Sequence, residues 1–154
     1  MLIYVQGKHS VVSTKKVKKI VNFFADKLFS KRMNSSLSLT VIFSKSETVN
    51  EGLMGWCDWI DDNRRPKEFE IAISPITSEK AMIVTIAHEM RHLYQFAHGH
   101  LTDLSRKPGH VSWKGKTFHD TGPYSSKVYL SPWEKDARKY EKILYKAYLE
   151  EFEE

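Results

Sequence analysis

Apolar residues recur along this chain with two different periods. Residues 2–6 alternate weakly and predict a first strand. Ser13-Thr14 then caps a helix expected to run to about Lys31. Its apolar positions Val17, Ile20, Val21, Phe24 and Leu28 share one face, with most of the lysines opposite. Residues 37–43 return to a period of two and are rich in β-branched side chains, which predicts a second strand. Residues 55–60 and 68–73 predict a third and a fourth. The turn-forming Asp61-Asp62-Asn63-Arg64-Arg65-Pro66 between them makes the pair a hairpin. A long helix follows, with Ser78 as N-cap and Glu79 in the first turn, running through Ile83, Ile86 and Ala87 to about Phe96. Residues 99–131 lose all periodicity and are rich in Gly, Pro, Ser, His and aromatics. They predict a long irregular segment, which in a compact domain often carries function. Ser131 at N-cap and Pro132 at the first position open a last helix, directing Trp133, Ala137, Tyr140, Ile143, Leu144, Ala147 and Tyr148 toward the core. Hairpin strands mixed with helices imply an α+β domain.

With 154 residues, 41% hydrophobic and 28% charged, the chain suits one domain over 1–154 with a real core. The lone Cys57 has no partner for an internal disulfide. It reads as a small buried hydrophobe in a reducing compartment, which points to the cytoplasm. No apolar run approaches the roughly 18 residues that span a bilayer. The opening Met1-Leu2-Ile3-Tyr4-Val5 is too short for a signal-peptide core, so no membrane partner is expected. The net charge of +5 leaves room for an acidic or nucleic-acid partner, with Lys15, Lys16, Lys18 and Lys19 clustered on one segment. The simpler reading of that cluster is a solvated helix face.

The chemistry concentrates in His88-Glu89-Met90-Arg91-His92. Histidines four positions apart on a helix present both imidazoles on one face, one turn apart, where they can hold a single ion. Glu89, beside the first, can reach a water at that ion without ligating it and act as general base. Zinc is the metal such a donor set suits, and a catalytic zinc takes a third protein ligand. Four residues are candidates. His98 follows His88 at a spacing that resembles the metzincin pattern, but Gln95 stands where that pattern has a helix-breaking glycine. On an unbroken helix His98 points away from the His88/His92 face. His100 lies just beyond. Glu134, in the first turn of the last helix, would complete a gluzincin-like arrangement. Asp136, two positions on, faces a different direction.

The combination of His88-Glu89-Met90-Arg91-His92, Trp113-Lys114-Gly115-Lys116 and Pro132-Trp133-Glu134-Lys135-Asp136-Ala137 resembles small phage- and bacterium-encoded zinc metallopeptidases of the zincin class. The resemblance covers about residues 80–145 and departs from the group's usual pattern at Asp136, where a second Glu is usual. The group is similar to minigluzincins and ImmA/IrrE-like peptidases, and that likeness maps Glu134 onto the third zinc ligand beside His88 and His92, with Glu89 as catalytic base. It also implies a zincin-like single domain in which a small mixed sheet packs against the motif helix and a C-terminal helix. An edge strand, either 55–60 or 68–73, would border the cleft and pair with an extended peptide. The oxyanion stabiliser it implies would come from His110, His119, Tyr124 or Tyr129. Trp113 and Gly115 would form a small turn beneath which the helices pack.

Three functions follow as expectations. The first is a zinc-dependent peptidase acting on a peptide or protein substrate. The second is a DNA-associated protease, because the motif helix also resembles that of SprT proteases and the lysine cluster could meet phosphates. The third is a metal-bound regulatory or interaction module without proteolysis; an intact Glu89 argues against it.

Overall fold

Four strands form one mixed sheet; two of the three longer helices pack on it, and the third packs on those two helices. A computed structural model describes residues 1–61, 65–103, 110–119 and 130–153. In chain order the elements are β1 (Leu2–Gln6), α1 (Thr14–Leu28), α2 (Lys31–Ser36), β2 (Ser38–Phe43), a 3-10 turn at Val49–Glu51, β3 (Gly55–Trp59), β4 (Glu68–Ile73), α3 (Glu79–Ala97), β5 (Leu101–Asp103), β6 (His110–Trp113), β7 (Lys116–His119) and α4 (Pro132–Phe152).

The main sheet has the order β1-β2-β4-β3. β1 and β4 both run parallel to β2, while β3 pairs antiparallel with β4 as the expected hairpin. Register aligns the inward residues in rows. Val5, Val41, Ile71 and Cys57 lie side by side across the four strands, next to Ile3, Leu39, Phe69 and Trp59. These rows meet Val17, Ile20 and Phe24 of α1 and Met82, Ile86, Met90 and Leu93 of α3 in one core. The order leaves β3 at an edge, with α3 packed beside it.

Local chemistry explains most boundaries. Ser13, Ser30 and Ser78 cap α1, α2 and α3, each side chain accepting from the backbone N–H three residues on. The first helix stops earlier than its periodicity predicts. Phe29 turns extended, and Ser30 caps the separate α2, so Lys31 begins a helix instead of ending one. Burying Phe29 against Tyr94 and His98 favours that break over three more helical residues. On α4, Ser131 holds the N-cap position without a side-chain cap bond, and Pro132 opens the helix. Trp133, Ala137, Leu144 and Tyr148 are buried as expected. Ile143, expected in the core, is 48% exposed, because the stripe that meets α3 and α1 passes beside it.

The stretch expected to be irregular carries a second sheet, β5-β6-β7, entirely antiparallel. Its strands are three or four residues long, too short for alternation to register. Lys114 and Gly115, with φ of 49° and 86°, make the two-residue turn between β6 and β7, and positive φ at both positions suits the twist of a tight hairpin. Trp113 and Phe118 bring this sheet onto Trp133 at the start of α4, with ring centroids 6.5 and 5.6 Å away. Among the described residues no helix is long and apolar enough to cross a membrane.

Candidate metal centre

α3 supplies two imidazoles and α4 a carboxylate. His88 and His92 lie one turn apart, edge to face, with ring centroids 4.9 Å from each other. Glu134 bridges them: its Oε2 lies 3.1 Å from His88 Nε2 and its Oε1 3.0 Å from His92 Nε2. One donor atom from each of the three lies within 4.8 Å of the others, and this is the group among the described residues that could hold a metal ion.

The remaining ring nitrogens decide whether these histidines can ligate. His88 Nδ1 is 2.7 Å from Glu141 Oε2, and His92 Nδ1 is 2.8 Å from Gln95 Oε1. Both partners accept, so both Nδ1 atoms carry hydrogen and donate. The Nε2 atoms face Glu134, itself an acceptor, and are the nitrogens that would ligate once deprotonated, the orientation a metal-bound histidine takes when a carboxylate or amide holds its other nitrogen. The donor set therefore fits a zinc ion.

Electrostatics in the cluster pull in opposite directions. Burial lowers His88, but the Glu134 hydrogen bond, the charges of Glu89 and Glu134, and the Glu141 bond outweigh it and raise the imidazole to about 9. His92 is also raised, with burial again outweighed by Glu134 and Glu89. Glu134 responds in the opposite sense. Burial would raise it, yet the hydrogen bonds and charges of both histidines hold it far below the usual carboxylate range. Glu89 is raised, first by burial and further by Glu134 and Glu141, against the opposing pull of His92 and His88. A buried carboxyl with its pKa moved toward neutrality is suited to exchanging protons.

The other third-ligand candidates are elsewhere. His98 ends α3, donates from Nδ1 to the Tyr94 carbonyl at 2.9 Å, and stacks on Phe29. His100 sits between the rings of Tyr94 and Trp113. Asp136 is bound by Arg91 at 2.8 Å and by Gln95. Of the residues considered for an oxyanion, His110 begins β6 and His119 ends β7, opposite each other in register. Tyr124 and Tyr129 lie outside the described residues. Cys57 packs against the core; burial pushes its thiol well up, and the nearby charge of Glu89 adds to the shift.

Sequence reasoning missed Glu141, Gln95 and Arg91. Two of them had a positional signal: Glu141 follows Glu134 by two helical turns on one face of α4, and Gln95 follows His92, the residue it holds, by three.

Comparison with family models, curated proteins and solved structures finds no match to this chain.

Proposed function

We propose that this protein is a zinc-dependent peptidase of the gluzincin kind, with His88, His92 and Glu134 holding the metal and Glu89 as general base. One observation carries the reading. Two Nε2 atoms and a carboxylate converge from separate helices, while both Nδ1 atoms donate away from the convergence point. Surface histidines on a helix have no reason to be oriented twice in this way.

Zinc, when bound, supplies Lewis acidity, making water acidic enough to act as a nucleophile near neutral pH and polarising a carbonyl. The chain's own groups do the rest. The Glu89 carboxylate takes the proton from the attacking water and returns it to the departing amine nitrogen as the C–N bond breaks. Burial of Glu89 keeps competing solvent from that carboxylate. Among the described residues β3 is the outer strand beside α3, and its outer edge would offer backbone N–H and C=O groups to an extended peptide, holding a scissile bond along the cleft. The single free cysteine suits a reducing compartment, and we assign the peptidase to the cytoplasm.

The DNA-associated alternative gains little from the lysine cluster. Lys16 is ion-paired with Glu79, and Lys19 sits 4.3 Å over the Phe152 ring. Both serve packing of α1 against neighbouring helices.

Elemental analysis of the purified protein, combined with hydrolysis of a diverse peptide library, tests the proposal. The expected result is one zinc per chain, lost in His88→Ala and in Glu134→Ala, with cleavage that stops when the metal is removed. Unchanged zinc content in both variants rules out this centre. Zinc bound with no peptide cut favours the regulatory module.

A further inference from the structure

Both helices of the centre meet at a side chain that the peptide chemistry does not use. Gln95 is 0% exposed. Its amide nitrogen donates to the Trp133 carbonyl oxygen at 3.0 Å and to Asp136 Oδ2 at 2.9 Å. Both partners only accept, so they fix the nitrogen on that side and turn the amide oxygen toward His92 Nδ1, 2.8 Å away. An acceptor in that place holds hydrogen on Nδ1, so Nε2, 3.0 Å from Glu134, is the nitrogen that can ligate once it gives up its proton. Asp136 is fixed in turn by Arg91, whose Nε and Nη2 donate at 2.8 and 3.3 Å. The Arg91 guanidinium lies between Tyr94 and Tyr140, 3.9 and 3.5 Å from their ring centroids. The contacts thus run from His92 through Gln95 to Asp136 and return to α3 at Arg91. The two α4 residues that Gln95 grips, Trp133 and Asp136, flank Glu134 in sequence.

We infer that Gln95 is a positioning residue for the metal centre: one amide couples the ligating tautomer of His92 to the seating of the α4 turn that presents Glu134. The inference rests on reading His88, His92 and Glu134 as a zinc site. The residue type follows from the geometry. A carboxylate could accept from His92 but would meet the Trp133 oxygen and Asp136 with no hydrogen to give. An apolar side chain would leave buried polar groups unpaired on both helices. His88 has its own anchor in Glu141, on a later turn of α4, so the two histidines can be disturbed separately.

The test uses Gln95→Met, which keeps the length of the side chain and removes its hydrogen bonds. Zinc affinity is measured by competition with a chromophoric chelator, and proton NMR is recorded on the protein loaded with cobalt(II) alone. Each histidine ligating through Nε2 gives one paramagnetically shifted, exchangeable Nδ1–H resonance. Two are expected in the parent protein. Gln95→Met should lose the His92 resonance to solvent exchange, retain that of His88, and bind zinc about 10–100-fold more weakly. Glu141→Ala should do the reverse to the two resonances. If Gln95→Met fails to fold, Asp136→Ala removes one anchor of the amide from the more exposed helix and is read the same way, with a smaller loss of affinity expected. Unchanged affinity with both resonances retained, even at a lowered melting temperature, overturns the inference and leaves Gln95 a packing residue. A parent protein that binds neither ion overturns the metal reading itself, a result distinct from either variant outcome.

Discussion

Glu134 Oε2 lies 3.1 Å from His88 Nε2 although 46 positions separate the two residues in the chain. Helical spacing alone brings the histidines together, whereas the carboxylate arrives only when α4 docks on α3. That docking is secured from both sides of Glu134. Trp133 is wedged against Phe118 of the small sheet, and Asp136 is gripped by Arg91. The centre is therefore a product of tertiary packing, and its metal affinity should report on the docking of α4.

Metal affinity should climb with pH. His88 is raised to about 9 by its carboxylate neighbours, so below that pH its Nε2 carries a proton that a metal must displace. Apparent zinc affinity is expected to increase roughly tenfold per pH unit for each proton released, and to level off above pH 9. His92, also raised, adds to the slope, while Glu134 stays ionised throughout. The metal-free protein should show the converse in its stability. A folded-state pKa above the ordinary 6.5 gives stabilisation that is complete below 6.5 and lost as pH rises through 9. Chelator competition and urea unfolding of the metal-free protein between pH 6 and 10 measure the two trends. A flat affinity profile would contradict the assignment of His88 as a ligand.

Glu89→Gln should separate metal binding from chemistry. Glu89 is not among the three convergent donors, and its carboxyl is raised by burial. The amide keeps the shape and cannot exchange the proton. Peptide hydrolysis is expected to fall by about 10²–10⁴-fold, with zinc content and melting temperature close to those of the parent. Retained hydrolysis at more than a tenth of the parent rate would remove Glu89 from the role of base.

The pattern of the chain made the three longer helices and the main sheet legible because each presents a repeated apolar face, which the short α2 lacks. β1 and β4 match their expected residues, and the cap at Ser78 announces α3. The small sheet left no such mark. Strands of three or four residues held by a Lys114-Gly115 turn depend on their contact with Trp133 instead of on their own alternation. His88, Glu89 and His92 were legible as a local motif, whereas Glu134 was one of four candidates and came forward through the likeness to gluzincins. Gln95 was read only as a missing glycine. Its grip on Trp133 and Asp136 belongs to the α3–α4 contact, and a sequence does not display a contact 38 or 41 positions away.

Gly55 marks a tight approach at the start of the edge strand. A Cβ there would come within 2.8 Å of both the Ala72 carbonyl oxygen and Thr85 Cγ2. The first contact is backbone and cannot swing aside, so β3 must shift outward from β4 and α3. Gly55→Ala should cost about 1–3 kcal/mol in urea unfolding, the usual range for overpacking. Because β3 is the edge proposed to receive peptide, KM for a cleaved peptide should rise more than kcat falls. A neutral effect on stability would place the strand further from α3 than these distances put it.

The Arg91–Asp136 pair should contribute more through its cation than through the charge of its carboxylate. Arg91 is 10% exposed at its side chain and is stacked by two tyrosines; Asp136 is 19% exposed and keeps a second partner in Gln95. Arg91→Ala therefore removes the ion pair and both ring contacts together, and leaves a partly buried carboxylate with one donor. The expected cost is about 3 kcal/mol, the lower end for breaking a buried pair because Asp136 retains some solvent. Asp136→Asn keeps an acceptor oxygen for Arg91 and should cost about 1 kcal/mol. The acid limb gives an independent check. Burial pushes Asp136 up, but the Arg91 and Gln95 bonds outweigh it and hold the carboxyl below its ordinary 3.8. Its stabilisation is then present above 3.8 and lost as pH falls through the lower folded value. In Arg91→Ala this acid-side loss should shrink, bringing the stability profile below pH 4 closer to flat than in the parent. Equal losses in Arg91→Ala and Asp136→Asn would mean that the carboxylate charge, not the stacked guanidinium, secures α4.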